Sequence, residues 1–134
     1  MNIDLVKSYL IKFKKRLKAL YVLLDEEAYS DVIREAQEIV ELTVKGILRF
    51  KGIDVPKKHD VSDLLIEYKD FYDDKISKNF EKIKEISKYL RKEREFAFYG
   101  DVDFIPTEEY SKEDAVKALK DAEFVVSIAE IIIK

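Results

Sequence analysis

The stretch RKEREFAFYGD, residues 91 to 101, gathers the side chains of this chain best suited to chemistry. A basic helical run leads into Phe96, Ala97, Phe98 and Tyr99, breaks at Gly100 and then turns acidic. Two readings compete for it. In one the helix simply ends there: Phe96 and Phe98 plug a core, Tyr99 packs beside them, and Arg94 pairs with acids on the second helix. In the other, Arg94 and Tyr99 belong to a nucleic-acid-processing site. Composition alone does not separate them.

Other constellations are weaker. Glu35, Glu38 and Glu41 recur every three residues, so each stands about 60° from the last around a helix. Such a face could line a two-metal frame between helices. The sole histidine, His59, falls in a loop, and no Glu-x-x-His is present. The expectation is therefore a solvated acidic face pairing with Lys45, with no metal and no cofactor. Three scattered glycines do not make a phosphate loop, and nothing aims His59 at a Ser or Thr nucleophile. His59 is expected to organise the start of the third helix. With no cysteine, disulfides, thiolate metal sites and Cys nucleophiles are excluded.

The elements that must position these residues are helical. At 134 residues the chain is long enough for one domain with a real core, spanning 1–134. Ile3, Val6, Leu10, Phe13, Leu17, Leu20 and Leu24 alternate spacings of three and four, the stripe of a helix packed along one side. A second helix starts near Ala28 and should stop around Phe50, because Gly52 is a terminator and Val55 precedes Pro56. Asp60 is the expected N-cap of a short third helix, with Asp63 in its first turn, ending near Tyr68 to Tyr72. A fourth is expected from Lys75 to Phe96 with Ile76, Phe80, Ile83, Ile86 and Leu90 inward. Ser111 and Asp114 then open the last. The fold class is all-α, an up-and-down antiparallel bundle of about five helices. The last helix is apolar nearly all round from Phe124 to Ile133, so it is either central or covered by a second subunit.

Net charge −3 conceals an uneven distribution. Residues 1–20 carry six bases against one acid, and 75–94 carry eight against three. Two basic helices can meet a phosphate backbone despite an acidic total. The opening MNIDLVKSYL lacks the apolar core of a signal peptide, and no stretch approaches the roughly 20 apolar residues that span a bilayer. The expectation is a cytoplasmic protein without a membrane partner.

The segment DVIREAQEIVELTVKGILRFKGIDVPKKHDVSDLL resembles the HEPN family, the higher eukaryote and prokaryote nucleotide-binding domain. The resemblance is carried by Ala36-Gln37, by Glu41 and Lys45 one turn apart, and by the Gly-x-x-x-Pro loop of Gly52 and Pro56. His59-Asp60 and the paired Leu64-Leu65 follow. It implies a helical bundle, commonly a homodimer, with the fourth helices near the two-fold. It also implies a toxin–antitoxin-like pairing with a minimal nucleotidyltransferase, and binding of RNA or nucleotide.

Active members of that family are metal-independent ribonucleases with an arginine followed a few residues on by histidine. Arg94 matches the arginine, but the residue five positions on is Tyr99. Histidine titrates near 6.5 and can serve as base or acid at neutral pH; tyrosine, near 10, is a poor base. Arg94 could still hold a phosphate bidentately. The resemblance therefore implies a nucleotide- or RNA-binding member that is weakly catalytic or non-catalytic. The alternatives are a ribonuclease toxin using Arg94 and Tyr99, and a plain helical scaffold. By the same resemblance Tyr99 is a candidate for nucleotide modification, Asp101 lies beside it, Glu38 or Glu41 orients Arg94, and Lys45 joins the binding residues. Five positions on an unbroken helix leave two side chains roughly 140° apart. Arg94 and Tyr99 can converge only if the helix ends before Tyr99 or a partner subunit supplies one of them.

Overall fold

Two helix stops of the same kind fold the first half of the chain back on itself. In the computed structural model the described residues are 3–57, 60–99 and 110–133, with side chains for 4–57, 60–94 and 110–133. Helix α1 (Ile3–Asp25) ends where Ala28 N–H donates to the Leu23 carbonyl at 2.9 Å and Glu27 N–H donates to Leu24 at 3.0 Å. Helix α2 (Tyr29–Phe50) ends identically, with Ile53 N–H on Leu48 at 3.1 Å and Gly52 N–H on Arg49 at 2.9 Å. This paired closure needs one residue in the left-handed region. Gly52 takes φ 74° freely, whereas Glu27 at φ 58° costs about 1 kcal/mol because its Cβ crowds the following carbonyl.

The third element is α3 (Val61–Glu67), capped by Asp60, whose carboxylate accepts from Ser62 N–H at 3.0 Å. A 3₁₀ turn over Lys69–Phe71 follows. The expected single fourth helix is in fact two. A short α4 (Asp74–Ser77) is capped by Asp73, and α5 runs over Phe80–Tyr99. Asn79 makes the break. Its side-chain amide donates to the carbonyls of Lys75 at 3.3 Å and Ile76 at 3.2 Å, two acceptors that a continuous helix would use for backbone N–H groups. At its other end α5 reaches Tyr99 rather than stopping at Phe96. Helix α6 (Lys112–Ile133) opens on the expected reciprocal cap: Asp114 N–H donates to Ser111 Oγ at 3.2 Å, and Ser111 N–H to the Asp114 carboxylate at 2.9 Å.

The bundle is built around α2 and α6, which pack on one another and both against α1, while α5 and α3 close the remaining side of α2. Helices α1 and α6 run antiparallel, clipped by Lys14–Glu130 at 3.2 Å and by Tyr21 Oη donating to Glu123 at 2.7 Å. The apolar character of α6 is thus explained within one chain: Ala115, Ala122, Val125 and Ala129 are fully buried, and of its large apolar residues Ile131 alone is strongly exposed, at 62%. Tyr72 ties α5 to α2. Its hydroxyl donates to the Ile47 carbonyl at 2.7 Å, its ring meets Phe80 edge-on at 5.1 Å, and burial pushes its phenol well above the usual range. The start of α5 therefore lies beside the last turns of α2. No strand occurs among the described residues, and none of the described helices is long and apolar enough to cross a membrane.

Candidate functional site

Arg94 sits on the exposed surface of α5, in its last two turns. The helical backbone continues without a break through Tyr99. Positions 94 and 99 therefore stand roughly 140° apart around one axis, and the expected helix end before Tyr99 is not found. The physical reason is that residues 95 to 99 contain no glycine or proline that would stop the helix before Tyr99. The side chain of Tyr99, and Asp101 and His59 altogether, lie outside the described residues.

Among the described residues no ion pair joins Arg94 to α2. The acidic face of α2 is engaged by α1 instead: Arg16 Nη2 lies 3.2 Å from Glu35 and 3.6 Å from Glu38, and Arg34 adds a contact of 3.0 Å to Glu35. This corrects the expected pairing of that face with Lys45. Arg16 wins because it reaches across the helix seam and is itself only a quarter exposed, so its charge is less hydrated than that of a free lysine. Glu41 accepts a long hydrogen bond of 3.4 Å from Gln37 Nε2. Lys45 points elsewhere, into a groove with Tyr9, Lys12 and Arg49.

Gln37 is 3% exposed and its Oε1 has no partner among the described residues. A buried acceptor left unmatched carries a desolvation cost of roughly 1–3 kcal/mol. Gln37→Leu, which keeps most of the volume, is therefore expected to raise the unfolding free energy by about 1 kcal/mol in urea titrations. A loss of stability would instead reveal a partner for that oxygen in solution.

The residue before Arg94 anchors the return of the chain. Tyr110, 8% exposed, aims its hydroxyl at Glu93, 3.1 Å from the carbonyl and 2.8 Å from the carboxylate. Burial, then the hydrogen bond and the negative charge of Glu93, hold that phenol far above its ordinary 10.0. It stays a neutral donor.

One turn earlier, the basic face of α5 is partly neutralised. Lys88 Nζ stands 3.0 Å from the Asp60 carboxylate and 3.3 Å from Asp63; Arg91 reaches Asp60 at 3.5 Å, and Lys84 reaches Asp63 at 3.7 Å. Asp60 is thus more than a helix cap: it joins α3 to α5. Burial opposes its ionisation most strongly, yet hydrogen bonds from Ser62 and Lys88 outweigh that and hold its carboxyl below 3.8. No cluster of three or more His, Cys, Asp or Glu able to hold a metal occurs among the described residues.

Sequence reasoning placed Arg94 on a helix, Asp60 as a cap and Lys45 on α2. It missed the ion-pair role of Asp60, the clasp of Tyr110 on Glu93, and the partners of Lys45. The Asp60 role had a weak signal, the i, i+3 and i, i+4 spacing of Lys84, Lys88 and Arg91, but nothing local shows which acid they meet.

Among the described residues the fold is an all-helical bundle in which basic α5 carries an exposed arginine in its last two turns and is faced by the short, capped α3. The chain belongs to the HEPN domain family, whose model matches residues 6–132. It is similar to a protein of Methanocaldococcus jannaschii named "Putative toxin MJ1304", at 29% identity over 140 residues, covering 99% of this chain and 91% of that protein. Its fold is similar to that in the crystal structure of ST0689, an archaeal HEPN homologue, with a TM-score of 0.71 at 23% identity, covering 96% of this chain and 98% of that one.

Proposed function

We propose that this HEPN protein is the toxin-like component of a toxin–antitoxin pair, binding RNA or nucleotide through Arg94 and partnered by a minimal nucleotidyltransferase. The observation that carries the reading is Arg94 itself. It is exposed at the end of α5 and makes no ion pair with a described residue, while its neighbours Lys84, Lys88 and Arg91 are all engaged by carboxylates. A guanidinium that no described carboxylate engages is well shaped to take a phosphate bidentately. The likeness to a protein named as a toxin supports the toxin half of the proposal.

Catalysis in this reading is weak or absent. Tyr99 stands where a histidine would serve as proton carrier, and a phenol near 10 gives up or takes its proton poorly at neutral pH. The divergence of positions 94 and 99 on one helix favours a homodimer, in which a second copy presents its own Tyr99 to Arg94. Tyr99 is also the proposed acceptor of a nucleotide from the partner enzyme; Glu38, held by Arg16, and Glu41, bonded to Gln37, are engaged elsewhere within the chain.

The test compares wild type with Arg94→Ala in RNA binding and in RNA cleavage with EDTA present. Arg94→Ala is expected to weaken RNA binding about tenfold, the effect of one lost charge-assisted contact, with the melting temperature nearly unchanged. Cleavage that survives EDTA and disappears in the variant would make the protein a ribonuclease using Tyr99 in place of histidine. Unchanged binding would remove Arg94 from the site.

A further inference from the structure

The Phe13 ring of α1 packs against the bare position of Gly46 on α2. A Cβ there would stand 3.2 Å from Phe13 Cε2, so the ring occupies the space that a side chain at position 46 would need. Above this contact lies a groove of about 90 Å³. Phe13 forms its floor, stacked with Tyr9 at 6.3 Å between ring centres. Its rim carries Lys12 from α1 and Lys45 and Arg49 from α2, with Arg49 Nη1 3.5 Å from Tyr9 Oη. Among the described residues no carboxylate lines it.

The rest of the same seam is different. One turn along α1, Arg16 is matched by Glu35 and Glu38, whereas the groove end has no such acid among the described residues. Among the described residues none of Lys12, Lys45 and Arg49 is in an ion pair, and all three converge from two rigid helices. Three cations around an aromatic floor suit a phosphate with a base or sugar beside it.

Size and continuity decide which phosphate. The groove is far below the roughly 300 Å³ at which pockets for whole small ligands begin, so a complete nucleotide does not fit inside. It does not end there, however. Lys12 also borders a broad depression along α1 lined by Ser8, Ile11, Lys15, Ala19 and the ion-paired Arg16. A chain of phosphates can therefore leave the groove past Lys12 and meet Lys15 next, a continuation that a single small anion has no use for.

We infer that the α1–α2 groove is a phosphate-binding subsite for single-stranded RNA, distinct from the Arg94 end of α5. The inference rests on the RNA reading proposed above. The two places are well separated. Tyr72 and Phe80 fix the start of α5 beside Ile47, and Arg94 lies fourteen residues further along, about 21 Å at 1.5 Å per residue. The groove grips the strand while the far end of α5 meets another part of it.

The experiment is fluorescence anisotropy of a labelled single-stranded oligouridylate with the full chain, at 50 and 200 mM salt. The double variant Lys45→Ala/Arg49→Ala is expected to weaken binding about tenfold at low salt. It should also reduce the slope of log K against log salt by about 1.4, or about 0.7 for each lost phosphate contact. Lys12→Glu, on the opposite wall, is expected to weaken binding similarly, and unchanged melting temperatures show that the variants fold. Lys120→Ala, an exposed lysine of α6, should change neither quantity. Groove variants with wild-type affinity and slope overturn the inference and leave the RNA reading standing. An equal loss from Lys120→Ala overturns it in favour of diffuse charge. A wild type that binds no RNA at either salt overturns both.

Discussion

Truncation of Phe13 to alanine is expected to lower the unfolding free energy by about 3–5 kcal/mol, the range for removing a fully buried aromatic ring. The value should fall in the upper half of that range. Cavity cost depends on how far the surroundings can collapse, and here they cannot. The ring is 2% exposed and faces Gly46, which has no side chain to move into the space. Tyr9 is stacked on it at 6.3 Å with an interplanar angle of 24°. Urea unfolding with an unchanged m-value measures the effect directly. A loss under about 1.5 kcal/mol would mean that α1 slides inward to fill the gap. RNA affinity should fall in the same variant, because the groove loses its floor.

Replacing Asp60 is expected to cost about 2 kcal/mol as Asp60→Ala. Roughly half comes from the lost N-cap of α3. The remainder comes from breaking charge-assisted bonds to Lys88 and Arg91, in which the carboxylate side chain is only 18% exposed. The pH dependence separates the two parts. Because the folded-state pKa lies below the ordinary 3.8, the ionic contribution is complete above that value and is lost as pH falls through the folded pKa. Asn caps helices as well as Asp, so Asp60→Asn should lose only the ionic part. The gap between wild type and Asp60→Asn, followed by thermal unfolding, should hold steady at neutral pH and close on acidification below 3.8. A gap that persists at low pH would assign the loss to packing instead.

How far these features can be read from sequence depends on how local their causes are. The seven apolar positions of α1 and the glycine after α2 are local signals, and the helices and the second stop fall where they indicate. The first stop uses the same hydrogen bonds but is made by Glu27, a residue that gives no hint of a left-handed backbone. The break at Asn79 is hidden for another reason: Ile76, Phe80 and Ile83 keep helical spacing straight through it. Only the side chain of Asn79, turned back on two carbonyls, shows that the helix restarts.

The candidate site divides along the same line. Arg94 and Tyr99 share one helix, so their angular separation follows from spacing once the end of α5 is known. The groove does not follow from any spacing. Lys12 and Lys45 are thirty-three positions apart, and they share a groove because α1 packs on α2 with the Phe13 ring against Gly46. Resemblance to the family drew attention to Lys45 but gave no reason to look at Tyr9 or Arg49. Likewise, the three glutamates of α2 showed an acidic face, while Arg16 as the residue that answers it comes from packing.

The central place of α6 has a consequence for biosynthesis. Its apolar surface is what α1 and α2 pack against, yet Lys112 is translated some sixty residues after α2 is complete at Phe50. Counting to the far end of α6, at 5–20 residues per second this is a wait of roughly 4 to 17 s. Through that interval the faces of α1 and α2 that pack on α6 are uncovered. The contacts that close the bundle, such as Lys14 with Glu130, span 116 positions, and such distant pairings form late. The contacts that close the bundle are therefore expected only after α6 has emerged.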